Sequence, residues 1–200
     1  MTDTSSYSAD HGDFRIEGDT LLRYIGQGPH VSIPETVKYI ADSAFRLSGT
    51  LTSVVIPEGV TDIGERAFEC CDALENVILP KGLISIGYRA FYGCRALRSI
   101  LLPDTVRRIA SHAFSECTAL SDVGFPASIS LIGEYAFCRC EQIRAVSIPP
   151  SISNIGPRAF YGCRSVKSIT MPKKFKGRMK TLFEDVRLGI FSGVKITYIG

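Results

Sequence analysis

The sequence lacks most of what catalysis or membrane insertion would require. Histidine occurs only three times in 200 residues, at His11, His30 and His112. No apolar run approaches the ~20 residues that cross a bilayer, so no membrane span is expected. The opening "MTDTSSYSADHGD" has neither a basic start nor an apolar stretch behind it. It does not read as a secretory leader, and the chain as given reads as cytoplasmic. Acidic residues form no recurring close pair suited to general acid–base work. The one glycine-flanked turn, "GQG" at 26–28, precedes a strand pattern rather than a helix, which excludes a phosphate cradle. No catalytic, metal-binding or cofactor-binding residues are assigned, and an enzyme is not expected.

Charge of one sign is also scarce overall, with a net of +3, but it is unevenly spread. Residues 1–100 carry 9 Lys/Arg against 13 Asp/Glu, and residues 101–200 carry 14 against 7. Much of the basic excess lies in "KKFKGRMK", as Lys173, Lys174, Lys176, Arg178 and Lys180. A solvated end of the molecule accounts for it, and an anionic surface or partner is the sharper alternative. Aromatic stacking platforms are missing there apart from Phe175, so nucleic acid is not expected as a partner.

What is present is a core and a period. The chain is 45% hydrophobic and 22% charged, a balance that buries a core. The heptad "RAFYGCR" occurs at 89–95 and again at 158–164. Ala-Phe pairs begin at Ala44, Ala67, Ala90, Ala113, Ala136 and Ala159, always 23 apart. Pro34, Pro57, Pro80, Pro103, Pro126, Pro149 and Pro172 form a second column of period 23. Ile40, Ile63, Ile86, Ile109, Ile132 and Ile155 form a third. A fixed period of this length marks a solenoid, in which single units cannot bury their apolar sides but stacked units can.

One unit, 51–73, reads "LTSVVIPEGVTDIGERAFECCDA". Val54 and Ile56 alternate as in a strand with one buried face. Proline closes that strand because it cannot donate to the ladder. Val60 and Ile63 predict a second short extended piece, and the Gly64 column predicts a tight turn. Ala67, Phe68 and Cys71, at i, i+1 and i+4, predict a short helix with one buried side. The expected class is therefore α/β, with one short parallel strand and one short helical segment per 23-residue repeat.

Cysteine follows the same column logic. Cys71, Cys94, Cys117, Cys140 and Cys163 hold one column, with Cys70 and Cys138 outside it. One thiol per unit is strung over ~19 Å across four strand spacings, so the column cannot close on one ion. Buried free thiols are expected, and an odd count of seven leans toward a reducing compartment. A dyad of Cys117 with His112 fails on geometry, since side chains five apart on a short helix face different ways.

The unit "L-x-x-V-x-I-P…V-x-x-I-G-x-x-A-F-x-x-C" resembles the BspA-type, or Treponema pallidum-type, leucine-rich repeat. The likeness covers six units over 29–172. It implies a right-handed leucine-rich repeat solenoid with a parallel sheet on one face, and a non-catalytic binding role. Many relatives are bacterial surface proteins that attach to host or microbial proteins. The chain differs from commoner leucine-rich repeats in having no asparagine ladder after the strand. Residues 14–28 fit a capping hairpin, with Phe14/Ile16 and Leu22/Tyr24 flanking Glu17-Gly18-Asp19. Residues 1–13 read as a flexible tail, and 173–200 as a degenerate last repeat that caps the sheet edge. In it, Leu182 and Phe183 keep the period, Val186 takes the cysteine column, and the last strand slips by two, with Val194 and Ile196 falling 25 after Ile169 and Met171.

Side chains between the inward positions point outward, and there the columns vary. The candidate partner-binding residues are Val55, Glu75, Asn76, Ile78, Arg98, Ser99, Leu101, Asp122, Arg144 and Lys167. Val55, Ile78 and Leu101 predict an exposed aliphatic strip, unusual on a monomer. A protein partner on this face is the leading expectation. An architectural spacer within a larger surface protein, and an anionic-surface binder working through 173–180, stand as alternatives.

Overall fold

The computed structural model describes residues 8–183 and 193–200. Three antiparallel strands open the chain: β1 (Ser8–His11), β2 (Phe14–Glu17) and β3 (Thr20–Tyr24). Seven coils follow. The first strand of each is β4 (His30–Ser32), β6 (Ser53–Val55), β8 (Asn76–Ile78), β10 (Ser99–Leu101), β12 (Asp122–Gly124), β14 (Ala145–Ser147) and β16 (Ser168–Pro172). The first six coils carry a second, two-residue strand: β5 (Tyr39–Ile40), β7 (Asp62–Ile63), β9 (Ser85–Ile86), β11 (Arg108–Ile109), β13 (Leu131–Ile132) and β15 (Asn154–Ile155). A 3-10 helix (Lys173–Arg178), α1 (Met179–Phe183) and β17 (Lys195–Ile199) complete the described chain.

Every coil pairs in parallel with the next at an offset of 23, as Val54 does with Val77 and Ile63 with Ile86. The two-residue strands and the opening hairpin make one nine-stranded sheet, joined where β3 pairs with β5. The first strands form the opposite wall, in three hydrogen-bonded blocks: β4-β6-β8, β10-β12 and β14-β16-β17. β1, inside the segment read as a tail, pairs with β2 and is the edge of the nine-stranded sheet.

Between the walls the aromatic column forms a spine. Phe45, Phe68, Phe91, Phe114, Phe137 and Phe160 are all buried, with successive ring centroids 4.8–5.6 Å apart. Tyr24 stacks on Phe45 at 5.1 Å and Phe183 on Phe160 at 5.1 Å, closing the spine at each end. The ring spacing follows the strand spacing, because each ring rides on one coil.

The expected helix is not formed. The segment around each Ala-Phe pair is a run of turns, in which Arg66 and Cys70 have φ of 54° and 58°. The same two positions recur as Arg89 with Gly93, His112 with Glu116, Tyr135 with Arg139 and Arg158 with Gly162, all at positive φ. The reason lies in where the amides point. The N–H groups of Arg66, Phe68 and Cys70 donate to Tyr88, Ala90 and Tyr92 carbonyls of the next coil at 2.7 Å each. A helix would need those amides for its own carbonyls. Ala67, Phe68 and Cys71 still face the core, so the apolar pattern has the right inside with a different backbone.

The glycine column does open a tight turn, since Ala67 N–H donates to the Gly64 carbonyl and Ala90 N–H to that of Gly87 at 3.4 and 3.2 Å. It also marks close approach: a Cβ on Gly64 would lie 2.6 Å from the Ile40 carbonyl oxygen, and one on Gly87 2.6 Å from that of Ile63. One further expectation is corrected. The last strand slips by four rather than two, since β17 sets Ile196 against Ile169 and Tyr198 against Met171. Either even shift keeps the inward alternation. The longer one brings the Tyr198 ring within 5.9 Å of Lys176 Nζ. Leu182 and Phe183 do occupy their repeat columns, and both are buried; Val186 lies outside the described residues.

If the ring column is what holds coil to coil, its centre is the costliest place to cut. Phe114→Ala, fully buried between Phe91 and Phe137, is expected to lower the unfolding free energy by about 3–5 kcal/mol in urea titration. Half-buried Phe125, which meets the spine edge-on, is expected to cost less.

Candidate protein-binding face

The outward side of the first-strand wall is built by alternation. In β10, Ile100 is buried while Ser99 and Leu101 are exposed, and β12 and β14 repeat the pattern. Parallel pairing at one register lines up each outward column across coils. Val55, Ile78 and Leu101 are 37%, 60% and 85% exposed, and their exposure rises along the column. Glu75, Asn76, Arg98, Ser99, Asp122, Arg144 and Lys167 are also exposed. Next in the Leu101 column comes Gly124, where an added Cβ would meet nothing within 4 Å. The face therefore runs from an aliphatic half into a gap and then into a polar, basic half.

Just ahead of β10, β12 and β14 lies an open depression of about 390 Å³, lined by Ala96, Arg98, Ala119, Ser121, Gln142 and Arg144. It spans the break between the β10-β12 and β14-β16-β17 blocks.

A second surface, along the turns, escapes the sequence reading. Buried Glu69 receives Arg46 Nε at 2.6 Å and Arg89 Nη1 at 3.3 Å, tying three coils together. The Arg89 guanidinium lies over Tyr92 and Tyr88 at 4.7 and 5.5 Å. His112 stacks on Tyr135 at 4.9 Å, and Arg158 donates to the Tyr135 hydroxyl at 2.7 Å. Burial and the nearby Arg89 charge push the His112 pKa below its ordinary value, with Glu134 opposing. The mixed Arg/His/Tyr column was the available signal. It looks solvated when read one residue at a time, and its contacts appear only when coils are stacked.

In the basic segment 173–180, Arg178, Phe175 and Met179 close the end of the solenoid, while Lys173, Lys174, Lys176 and Lys180 are exposed. Arg178 Nη2 donates to the Ile155 carbonyl at 2.8 Å, capping β15. Lys174 lies 5.5 Å from the Phe175 ring and Lys176 5.9 Å from Tyr198. Met179 is buried.

His30 and His112 stand on different parts of the coil: His30 Nδ1 bonds Ser53 Oγ at 2.8 Å, and His112 belongs to the turn column. The five column thiols each donate to the phenylalanine carbonyl one coil back, from Cys71 to Phe45 at 3.1 Å through Cys163 to Phe137 at 3.1 Å. Burial pushes Cys71 up to about 12 and holds Cys94, Cys117, Cys140 and Cys163 well above the usual thiol range. Among the described residues no cluster of His, Cys, Asp and Glu could hold a metal ion, and no helix is long and apolar enough to cross a membrane. Cys70 is the one half-exposed thiol. Ellman's reagent is expected to titrate a single cysteine quickly in the native protein, and Cys70→Ser to remove that phase; the column thiols are expected to react only after unfolding.

No curated protein matches the chain significantly. Among solved structures, the T. pallidum leucine-rich repeat protein is 28% identical, with a TM-score of 0.68 over 82% of this chain and 87% of that one. A leucine-rich cell surface protein of Faecalibacterium prausnitzii is 27% identical, with a TM-score of 0.68 over 84% of this chain; the match spans 55% of that protein. A leucine-rich repeat protein of Eubacterium ventriosum is 26% identical, with a TM-score of 0.64 over 74% of this chain and 47% of that one. Repeats of this kind generally mediate protein interactions and are typically non-catalytic. Six repeat copies are recognised over residues 23–143 and 65–189, and with the stacked coils they establish that this chain belongs to the BspA-type leucine-rich repeat family.

Proposed function

We propose that the chain is a non-catalytic, protein-binding repeat module that meets its partner on the outward face of the first-strand wall. The observation that carries this reading is the contrast between columns. Inward positions repeat isoleucine, phenylalanine and cysteine and are buried. Outward positions on the same strands change from coil to coil, and three adjacent ones expose aliphatic side chains up to 85%. Selection for stability accounts for the buried columns and gives no reason for Leu101. A contiguous exposed apolar strip with a charged border is what a protein contact requires, since a desolvated centre and polar rim supply affinity and register respectively.

A cell-surface relative such as the Faecalibacterium protein favours an extracellular, adhesin-like setting for the same face. The basic segment is a second reading: its four lysines are exposed, while Arg178 is engaged in capping the sheet.

The double variant Ile78→Asp/Leu101→Asp leaves the core intact, because both side chains are exposed. Against a partner protein that binds the native chain saturably, it is expected to weaken binding by about tenfold or more, read by calorimetry with circular dichroism as the fold control. Unchanged affinity in a folded variant places the contact elsewhere.

A further inference from the structure

We propose that the depression between Arg98 and Arg144 is a carboxylate-binding subsite that receives an acidic side chain from an extended segment of the partner protein. The proposal rests on the protein-binding reading above and names the chemistry of the partner.

Arg98 and Arg144 occupy the same column two coils apart, on either side of Ser121. Two strand spacings set their backbones about 10 Å apart. The coil between them carries only Ser121 and Ala119 at the depression, so nothing fills the space from below. Two long guanidinium side chains can close on one carboxylate over that floor, each presenting a fork of N–H donors.

These two arginines differ from the four on the surface that hold carboxylates of this chain. Arg46, Arg89, Arg95 and Arg139 each have a carboxylate of this chain within 4.0 Å. Among the described residues, Arg98 and Arg144 have no such ion pair, although Glu75 sits in the same column one coil from Arg98. An anion from outside would supply the missing charge.

The neighbours favour a peptide over a sulfated polysaccharide. Leu101, 85% exposed, ends the strand that begins just after Arg98, and Gly124 leaves an open slot on the next coil. An aliphatic side chain adjacent to the acidic one would fill that slot and cover Leu101. A polysaccharide has no comparable apolar group, and the exposed acids Glu75 and Asp122 would repel a densely anionic chain.

Fluorescence anisotropy of the full chain with a labelled peptide alternating glutamate and leucine tests the proposal. A peptide alternating glutamine and leucine and a heparin fragment serve as comparison probes. The acidic peptide is expected to bind saturably, the neutral one not, and Arg98→Gln/Arg144→Gln to weaken binding by about tenfold or more. Arg95→Gln, on a different column, is expected to bind as the native chain does. Raising salt from about 50 to about 300 mM should weaken the native interaction and barely affect the double variant. Absence of saturable peptide binding, or equal binding by the double variant, overturns the subsite while leaving the aliphatic-face reading to its own test. Tighter binding of heparin than of peptide overturns it in favour of a polysaccharide site.

Discussion

The spacing between neighbouring strands governs this molecule. Each coil must repeat its predecessor at about 4.8 Å, because the backbone ladder allows no other distance. Everything inside then has to stack at that spacing. Planar rings satisfy it face to face, as the spine from Tyr24 to Phe183 does. A small thiol satisfies it while donating to the carbonyl one coil back. Glycine satisfies it where backbones come too close for a Cβ. A helix in the turn segment would withdraw amides from this ladder, since its N–H groups bond carbonyls of the same segment. That conflict explains why residues such as Arg66 and Cys70 accept positive φ: the strain is offset by turning their amides toward the next coil.

The stacked columns were readable from the sequence because periodic burial leaves periodic composition. Isoleucine, phenylalanine, proline and cysteine recur at 23 and occupy the positions their periodicity implies. The turn segment was misread for a physical reason. Ala67, Phe68 and Cys71 share a side both in a helix and in alternating turns, so apolar spacing does not separate the two. A usable signal existed in Gly93 and Gly162, which sit at a left-handed position that non-glycine residues fill in the other coils. The shift of β17 by four was ambiguous by construction, since any even slip preserves the buried face. On the outward face, exposure followed directly from alternation. The depression did not, because it arises from the small Ser121 lying on the coil between Arg98 and Arg144 of the same column.

A scaffold of this kind separates stability from recognition. The inward columns tolerate little change, because every substitution is felt by the coils on both sides. The outward columns touch neither the spine nor the thiol ladder, so they vary without cost to the fold. The aliphatic strip, the gap at Gly124 and the exposed arginines at 98 and 144 lie along the same wall. The turn-side ridge of Arg89, Tyr92, His112 and Tyr135 differs in kind, since its charges and rings are already engaged with one another.

The central claim is that bonding from coil to coil, rather than structure within a coil, holds the chain together. Native-state hydrogen exchange of the Phe68, Phe91, Phe114 and Phe137 amides tests it most directly. Each donates to an alanine carbonyl of the next coil at 2.7–2.8 Å, so all four are expected to exchange only through opening of several coils together, at closely similar rates. Rapid exchange at these amides, like that of exposed turns, would contradict the account.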